Sequence, residues 1–76
     1  MSSKATIDKA RKSYAVYEAK RNALGLRNAQ VARAAGVSAS CLCDWKHGTY
    51  IPKFDKMQKI AAAVETTVGE IMEGQG

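Results

Sequence analysis

The sequence predicts an all-α fold built from five short helices, and three observations lead to that prediction. Apolar residues recur at spacings of three and four along most of the chain, which is the period of a helix with one buried face. Pro52 is the only proline, so little interrupts a helix, and no stretch reads as a strand. Because 76 residues are enough for one small core, we expect a single domain over residues 1–76.

The first helix is predicted over about Ile7 to Ala23. Thr6 is its expected N-cap, and Asp8 is expected in the first turn, where the helix dipole favours an anion. Gly25 is expected to end the helix in the left-handed conformation. The residues expected on its buried face share helical spacing: Ile7, Ala10, Tyr14, Tyr17 and Leu24.

Two shorter helices are predicted next, over Asn28 to Ala35 and Ala39 to His47. Gly36 is expected to end the first of them and Gly48 the second, because glycine adopts positive φ readily. Ser38 is a good N-cap for the second. The two apolar faces combine small residues with two large ones: Val31, Ala32, Ala35, Leu42 and Trp45.

Two further helices are predicted after the segment "TYIP". The fourth covers Lys53 to Val64, and the fifth covers Val68 to Glu73 with Thr67 as its N-cap. The fourth helix has an apolar stripe of Phe54, Met57, Ile60, Ala61 and Val64. The fifth is expected to bury Val68, Ile71 and Met72.

The second and third helices form the most specific pattern in the chain. Two short helices can cross steeply when the turn between them allows positive φ and the facing residues are small. Gly36 meets the first condition, and Ala32 with Ala35 meets the second. With Leu42 and Trp45 pointing inward, helical spacing turns the opposite residues to solvent: Ala39, Ser40, Cys43, Asp44 and His47. A short exposed helix on a small body has the size to enter a DNA major groove.

The charge of the chain is large and unevenly distributed. Twelve lysines and arginines against seven acidic residues give a net charge of +5 and a pI near 9.5. Seven bases and two acids give +5 in residues 1–27, five bases and two acids give +3 in residues 28–59, and three acids give −3 in residues 60–76. This asymmetry is expected if one face meets a polyanion, although a solvated lysine-rich surface would have the same charge.

A family resemblance is carried by "LGL" at 24–26, "VARAAGVS" at 31–38, "LCDWKHG" at 42–48, Pro52 and "KIAAAVETTVGEIM" at 59–72. With these motifs in this order, the chain from about Tyr17 to Met72 resembles the lambda-repressor-like helix-turn-helix family, the Cro and phage-repressor group. The resemblance implies a compact five-helix bundle whose third helix reads the major groove. It also implies a symmetric dimer on a palindromic operator.

The resemblance further implies which residues contact DNA. The base-reading positions that it implies are Ala39, Ser40, Cys43 and Asp44. The phosphate-contacting positions that it implies are Asn28, Ser38, Thr49, Tyr50 and Lys53. Hydroxyls, lysines and helix N-termini all suit phosphate oxygens. Asn28 has an equally good interpretation as the N-cap of the second helix.

The groove-facing residues depart from the family pattern, which favours Gln, Arg, Asn or Lys because these side chains reach base edges with paired hydrogen bonds. Asp44 can accept a hydrogen bond from cytosine N4 but repels phosphate, and Ala39 can pack on a thymine methyl group. We therefore expect weak base readout, or readout that depends on DNA shape and phosphate contacts. Arg27 also replaces the threonine or serine that usually caps the second helix.

A second departure concerns a pair of charges. Many family members pair an arginine of the first helix, here Arg21, with an acid at the position where this chain has Lys46. The two cations repel, so one of them is expected to turn to solvent, to phosphate, to Glu18 or to Asp44. Lys46 is therefore a candidate phosphate ligand by inference and not by family match.

Cys41, Cys43 and His47 lie close together but do not predict a metal site. Zinc requires four ligands, and Cys41 and Cys43 would point about 200° apart on a helix. We expect no metal and no other cofactor, with a site shared across a dimer left open. Cys41 is expected to be a partly buried packing residue and Cys43 an exposed thiol, whose oxidation is a minor hypothesis for regulation.

Other functional classes find little support. One histidine, no paired nucleophile and base, and no glycine-rich phosphate loop argue against an enzyme. The longest apolar run, Ile60 to Val64, is too short for a membrane span, and the N-terminus lacks the apolar segment of a secretory signal. We expect a cytoplasmic protein with no membrane partner, and no small-molecule effector is evident.

Two hypotheses of different class follow. The favoured one is a sequence-specific transcriptional regulator, a phage or prophage-type repressor that binds double-stranded DNA as a homodimer. The alternative is a protein-interaction module of the same fold, or the antitoxin of a toxin–antitoxin pair. The expected dimer surface is the fifth helix with the end of the fourth, and the other candidate is the stripe of Ile7, Tyr14 and Tyr17.

Overall fold

The computed structural model describes residues 4–73, and the rest of the predicted domain, residues 1–3 and 74–76, lies outside this range. The described residues form five helices and no strand, so the predicted all-α fold is confirmed. The helices are α1 (Lys4–Ala23), α2 (Asn28–Ala35), α3 (Ala39–His47), α4 (Phe54–Ala63) and α5 (Val68–Glu73). Their bounds match the prediction for α2, α3 and α5. The predicted terminal residues of α4, Lys53 and Val64, are its caps.

The beginning of α1 was predicted wrongly. The helix begins at Lys4, so Thr6 lies within it and is not its N-cap. Asp8 consequently lies beyond the first turn, which contains no acidic residue. Lysine and alanine, which occupy positions 4 and 5, both have high helix propensity, and this favours the earlier start.

The core is centred on three aromatic rings from α1 and α3. Tyr14, Tyr17 and Trp45 are buried, and their ring centroids are 5.1 to 5.3 Å apart. Aromatic pairs at this separation contribute beyond the burial of their area. Around them pack the remaining buried apolar residues: Ala10, Val31, Ala32, Ala35, Leu42, Met57, Ile60, Ala61, Val64 and Ile71.

Two residues predicted on buried faces are exposed. Leu24 is 39% exposed because α1 ends at Ala23 and the chain turns there. Phe54, the first residue of α4, is 65% exposed, although Met57 and Ile60 on the same predicted stripe are buried. Val68 and Met72 of α5 are only partly buried against the core.

The turns and caps around α3 follow the prediction. Gly36 has φ +70° at the end of α2, and Gly48 has φ +83° at the end of α3. The Ser38 hydroxyl accepts a hydrogen bond from the Cys41 backbone N–H at 3.2 Å, as an N-cap does. The Thr67 hydroxyl caps α5 in the same way through the Glu70 N–H at 3.1 Å. These local bonds set where α3 and α5 begin.

The packing of the helices leaves one side of α3 uncovered. α3 packs on α1 and on α2, while α2 also packs on α4, and α5 packs on α1 and α4. A hydrogen bond holds α3 to α1, because the Trp45 indole N–H donates to the buried Ser13 hydroxyl at 3.0 Å. Ser13 in turn donates to the carbonyl oxygens of Lys9 at 2.8 Å and Ala10 at 3.0 Å.

Candidate nucleic-acid interface

The two faces of α3 differ completely in exposure. Leu42 and Trp45 have no exposed surface, so the inner face is anchored in the core. The outer face carries the five residues that helical spacing predicted there, all exposed: Ala39, Ser40, Cys43, Asp44 and His47. The predicted orientation of α3 is therefore confirmed. The base-reading role of four of these residues stays a prediction.

The outer face of α3 combines small side chains with a thiol, a carboxylate and an imidazole. The Cys43 sulfur lies 3.7 Å from Nδ1 of His47, and Cys43 is exposed whereas Cys41 is half-buried, as expected. The Asp44 carboxylate is exposed and forms no ion pair with residues 7–73. An ionised carboxylate only accepts hydrogen bonds, so on a base edge it suits the cytosine N4 amino group. Its negative charge also opposes approach to phosphates.

Candidate phosphate ligands lie at both ends of α3. Ser38 uses its oxygen as the N-cap acceptor, which leaves its hydroxyl proton for a phosphate oxygen. The Thr49 hydroxyl donates to the Asp44 carbonyl oxygen at 3.1 Å, and this bond ties residues 49–53 to α3. Lys46 and Lys53 are exposed. Ammonium groups at these positions suit contacts to phosphate.

Tyr50 is half-buried in the segment after α3. Burial, together with the neighbouring Cys41 thiol, raises the pKa of the Tyr50 phenol above its usual value. The phenol is therefore neutral at physiological pH and keeps its proton for donation. A neutral hydroxyl can donate to a phosphate oxygen, and the phosphate contact of Tyr50 stays a prediction.

Asn28 is the first residue of α2, and its predicted alternative as the N-cap is wrong because Arg27 occupies that position. The Gln30 side chain completes this end of α2 by accepting a hydrogen bond from the Arg27 backbone N–H at 2.8 Å. A hydrogen bond from the backbone N–H of the N-cap residue to the side chain of the third helical residue is one half of a capping box, which stabilises the beginning of a helix.

The Asn28 side chain belongs to a hydrogen-bond network with α1. Its Oδ1 accepts from the Tyr17 hydroxyl at 2.7 Å and from the Arg21 guanidinium, and its Nδ2 donates to the Tyr14 hydroxyl at 3.1 Å. The amide has a second Nδ2 proton, so a phosphate contact remains compatible with this network and stays a prediction. Burial raises the pKa of the Tyr17 phenol, and the nearby Arg21 only partly offsets this.

The predicted repulsion between Arg21 and Lys46 is avoided because Arg21 pairs with an acid of its own helix. The Arg21 guanidinium forms an ion pair with Glu18 at 3.8 Å and lies over the Tyr17 ring, 5.7 Å from its centroid. Lys46 turns to solvent. The structure thus realises two of the predicted alternatives, Glu18 for Arg21 and solvent for Lys46. Lys46 remains available for an anion.

The buried Ser13 and the network around Asn28 were not predicted from the sequence. Each joins residues far apart in the chain, Ser13 to Trp45 and Asn28 to Tyr14, so no local spacing indicates them.

Among residues 4–73, no three potential metal ligands cluster, and no helix is long and apolar enough to span a membrane.

The short second helix, the glycine turn and the exposed third helix define a helix-turn-helix protein. The family model for helix-turn-helix domains of the Cro and C1 repressor type matches residues 18–71, more than two thirds of the chain. The chain belongs to this family of DNA-binding regulators, so the resemblance is confirmed. No curated protein matches the chain significantly. Residues 4–17, which form most of α1, lie outside the family match.

Proposed function

We propose that this protein is a sequence-specific transcriptional regulator, a phage or prophage-type repressor that binds a palindromic operator as a homodimer. The observation that carries the proposal is the geometry of α3. Leu42 and Trp45 hold its inner face without exposure, while its outer face is open to solvent in a member of a DNA-binding family. In this proposal the whole chain is one DNA-binding domain and α3 enters the major groove.

Contacts to bases and to phosphates have separate roles in this proposal. The outer face of α3 reads bases through Ala39, Ser40, Cys43 and Asp44. The phosphate contacts come from Asn28, Ser38, Lys46, Thr49, Tyr50 and Lys53. Because none of the four base-reading side chains makes the paired hydrogen bonds of glutamine or arginine, we expect phosphate contacts and DNA shape to contribute most of the affinity.

The proposed dimer surface lies on α5, as expected, together with the beginning of α4 in place of its predicted end. Phe54 is 65% exposed and lines an apolar groove with Pro52, Met57, Val68 and Met72. A second copy of the chain is the proposed occupant, because residues 60–76 carry a charge of −3 and this end is unsuited to contact DNA. The alternative stripe on α1 is not supported, since Tyr14 and Tyr17 are buried within the domain.

Selection from a randomised DNA duplex library, at low and at moderate salt, tests the proposed function. Enrichment of an inverted repeat with half-site centres roughly 10 bp apart supports a dimeric operator reader. Salt-sensitive retention without enrichment indicates phosphate binding alone and contradicts sequence-specific regulation. No retention at either salt concentration contradicts DNA binding altogether.

The second candidate function is binding of a protein partner, including the antitoxin role in a toxin–antitoxin pair. The observation that favours it is the unpaired Asp44 carboxylate on the outer face of α3, which suits a cationic protein surface better than a polyanion. Under either function we propose a non-enzymatic cytoplasmic protein that uses no cofactor and responds to no small-molecule effector.

A further inference from the structure

The part of α1 outside the family match covers the C-terminal end of α3. Gly48 ends α3 and is buried directly beneath Ile7. A Cβ atom placed on Gly48 would lie 2.8 Å from Cγ2 of Ile7 and 3.5 Å from Nε of Arg11. The Arg11 guanidinium therefore lies beside the backbone at which the candidate recognition helix ends.

Arg11 lies on a different side of α1 from Lys12 and Lys20. Arg11 follows Ile7 by one helical turn and so shares its side of the helix. Lys20 lies on the other side of the buried face, where its ammonium is 3.5 Å from Glu70 of α5. Lys12 is rotated by about 100° from Arg11, away from the buried face. Of these three cations, Arg11 is the one that lies against the end of α3.

The surroundings of Arg11 are cationic. Lys46 occupies the last turn of α3, and Lys53 follows in the next segment; both are exposed, as is Arg11. Within residues 4–73, Arg11 has no carboxylate partner. Asp8 precedes Arg11 by three residues on α1 but forms no ion pair with it, and a phosphate can accept two hydrogen bonds from the guanidinium at once.

We propose that Arg11 is a phosphate ligand, which extends the DNA contact from the helix-turn-helix onto the first helix. This inference rests on the proposed DNA-binding function and adds a residue that lies outside the family match. Arg11 would donate to the phosphate next to the one approached by the segment after α3. It adds affinity for any sequence, because phosphate contacts position a protein without reading bases.

The test compares Arg11→Gln with Lys12→Gln, which removes the same charge from the outer side of the same helix. The dissociation constant for one short duplex of fixed sequence is measured by fluorescence anisotropy between about 50 and 200 mM KCl. Loss of one phosphate contact reduces the slope of log Kd against log salt by about 0.9. We expect this reduction for Arg11→Gln, a much smaller one for Lys12→Gln, and a slope close to that of wild type for Arg11→Lys.

The melting temperature of each variant distinguishes phosphate binding by Arg11 from a purely structural role, in which Arg11 only stabilises α3. A cation at the C-terminal end of α3 also stabilises that helix through its dipole. If Arg11→Gln lowers the melting temperature but retains the wild-type slope, Arg11 acts on α3 alone and the inference is overturned. Equal slope reductions for Arg11→Gln and Lys12→Gln overturn it as well. Absence of salt-dependent binding by the wild type would overturn the proposed function itself, and with it this inference.

Discussion

At the scale of single residues, a buried polar contact helps to fix the orientation of the candidate recognition helix. Trp45 is the largest fully buried side chain, and its indole N–H needs an acceptor that water does not supply. Ser13, 2% exposed, provides that acceptor from α1. The bond therefore links α1, most of which lies outside the family match, to the candidate recognition helix.

Replacing Ser13 with alanine is expected to lower the free energy of unfolding by about 1–3 kcal/mol, because the buried Trp45 N–H loses its only acceptor. Urea denaturation followed by tryptophan fluorescence measures the change. Ser40→Ala, on the exposed face of α3, is the matched control and is expected to have little effect on stability. Equal losses for the two variants would contradict the structural role of Ser13.

A second prediction at the residue scale concerns the acid on the outer face of α3. Asp44→Asn removes a negative charge without changing shape, so we expect DNA affinity to rise by about twofold to fivefold at low salt. Gel-shift titration on one duplex measures this rise. Glu73→Gln makes the same charge change on α5, and its effect is expected to be smaller. Weaker binding by Asp44→Asn would instead indicate that the carboxylate accepts a hydrogen bond from a base.

At the scale of helices, the two glycines that end α2 and α3 have the same backbone conformation but different surroundings. Both have positive φ, which costs a residue with a Cβ about 1–2 kcal/mol. No heavy atom approaches the Cβ position of Gly36 within 4 Å, whereas Ile7 is 2.8 Å from that of Gly48. Gly36 is thus required only by the positive φ of the turn. Gly48 is required by its positive φ and also by the close approach of Ile7 from α1.

Gly48→Ala is accordingly expected to destabilise the protein more than Gly36→Ala does. The shared backbone cost cancels, and the difference of about 1–3 kcal/mol reflects overpacking against the stiff Ile7 side chain. Thermal unfolding of both variants measures it. In an Ile7→Ala background the difference should shrink, because the clashing methyl group is gone. Equal destabilisation of the two glycine variants would show that Ile7 does not constrain the end of α3.

At the scale of the whole molecule, the apolar groove on α4 and α5 adjoins the cations that follow α3. The exposed cations Lys46 and Lys53 lie near the candidate recognition helix, whereas the acids Glu65, Glu70 and Glu73 lie between α4 and α5 and on α5, beyond the apolar groove. A regulator with this arrangement can bind a polyanion through one region and another copy of itself through the other. The exposed Phe54 side chain borders this groove.

The dimer proposal therefore predicts that Phe54→Ser shifts the monomer–dimer equilibrium toward monomer, because an exposed aromatic anchor contributes most when an interface buries it. Sedimentation velocity over a range of protein concentrations measures the shift. Leu24→Ser is the control, since Leu24 is the other large apolar residue exposed in the described chain, at 39%. Dissociation by Leu24→Ser in place of Phe54→Ser would locate the interface at the turn after α1.

The sequence alone determined the identity and most bounds of the helices, because their signals are local. Gly36, Ser38 and Gly48 act on the backbone within a few residues, and helical spacing assigned Leu42 and Trp45 to the inner face of α3. The outer face followed from the same periodicity. The motifs around these residues were also sufficient to predict the family.

The tertiary structure decided what depends on contacts between distant parts of the chain. Spacing placed Phe54 on a buried stripe, but its ring, at the first position of α4, is 65% exposed. The sequence predicted Asn28 as a phosphate contact or as the N-cap of α2. In the structure its side chain forms hydrogen bonds with the hydroxyl groups of Tyr14 and Tyr17 on α1. Ser13 and Arg11 acquire their roles from α3 residues more than 30 positions away. Periodicity identifies which face of a helix is apolar, whereas only packing determines what that face meets.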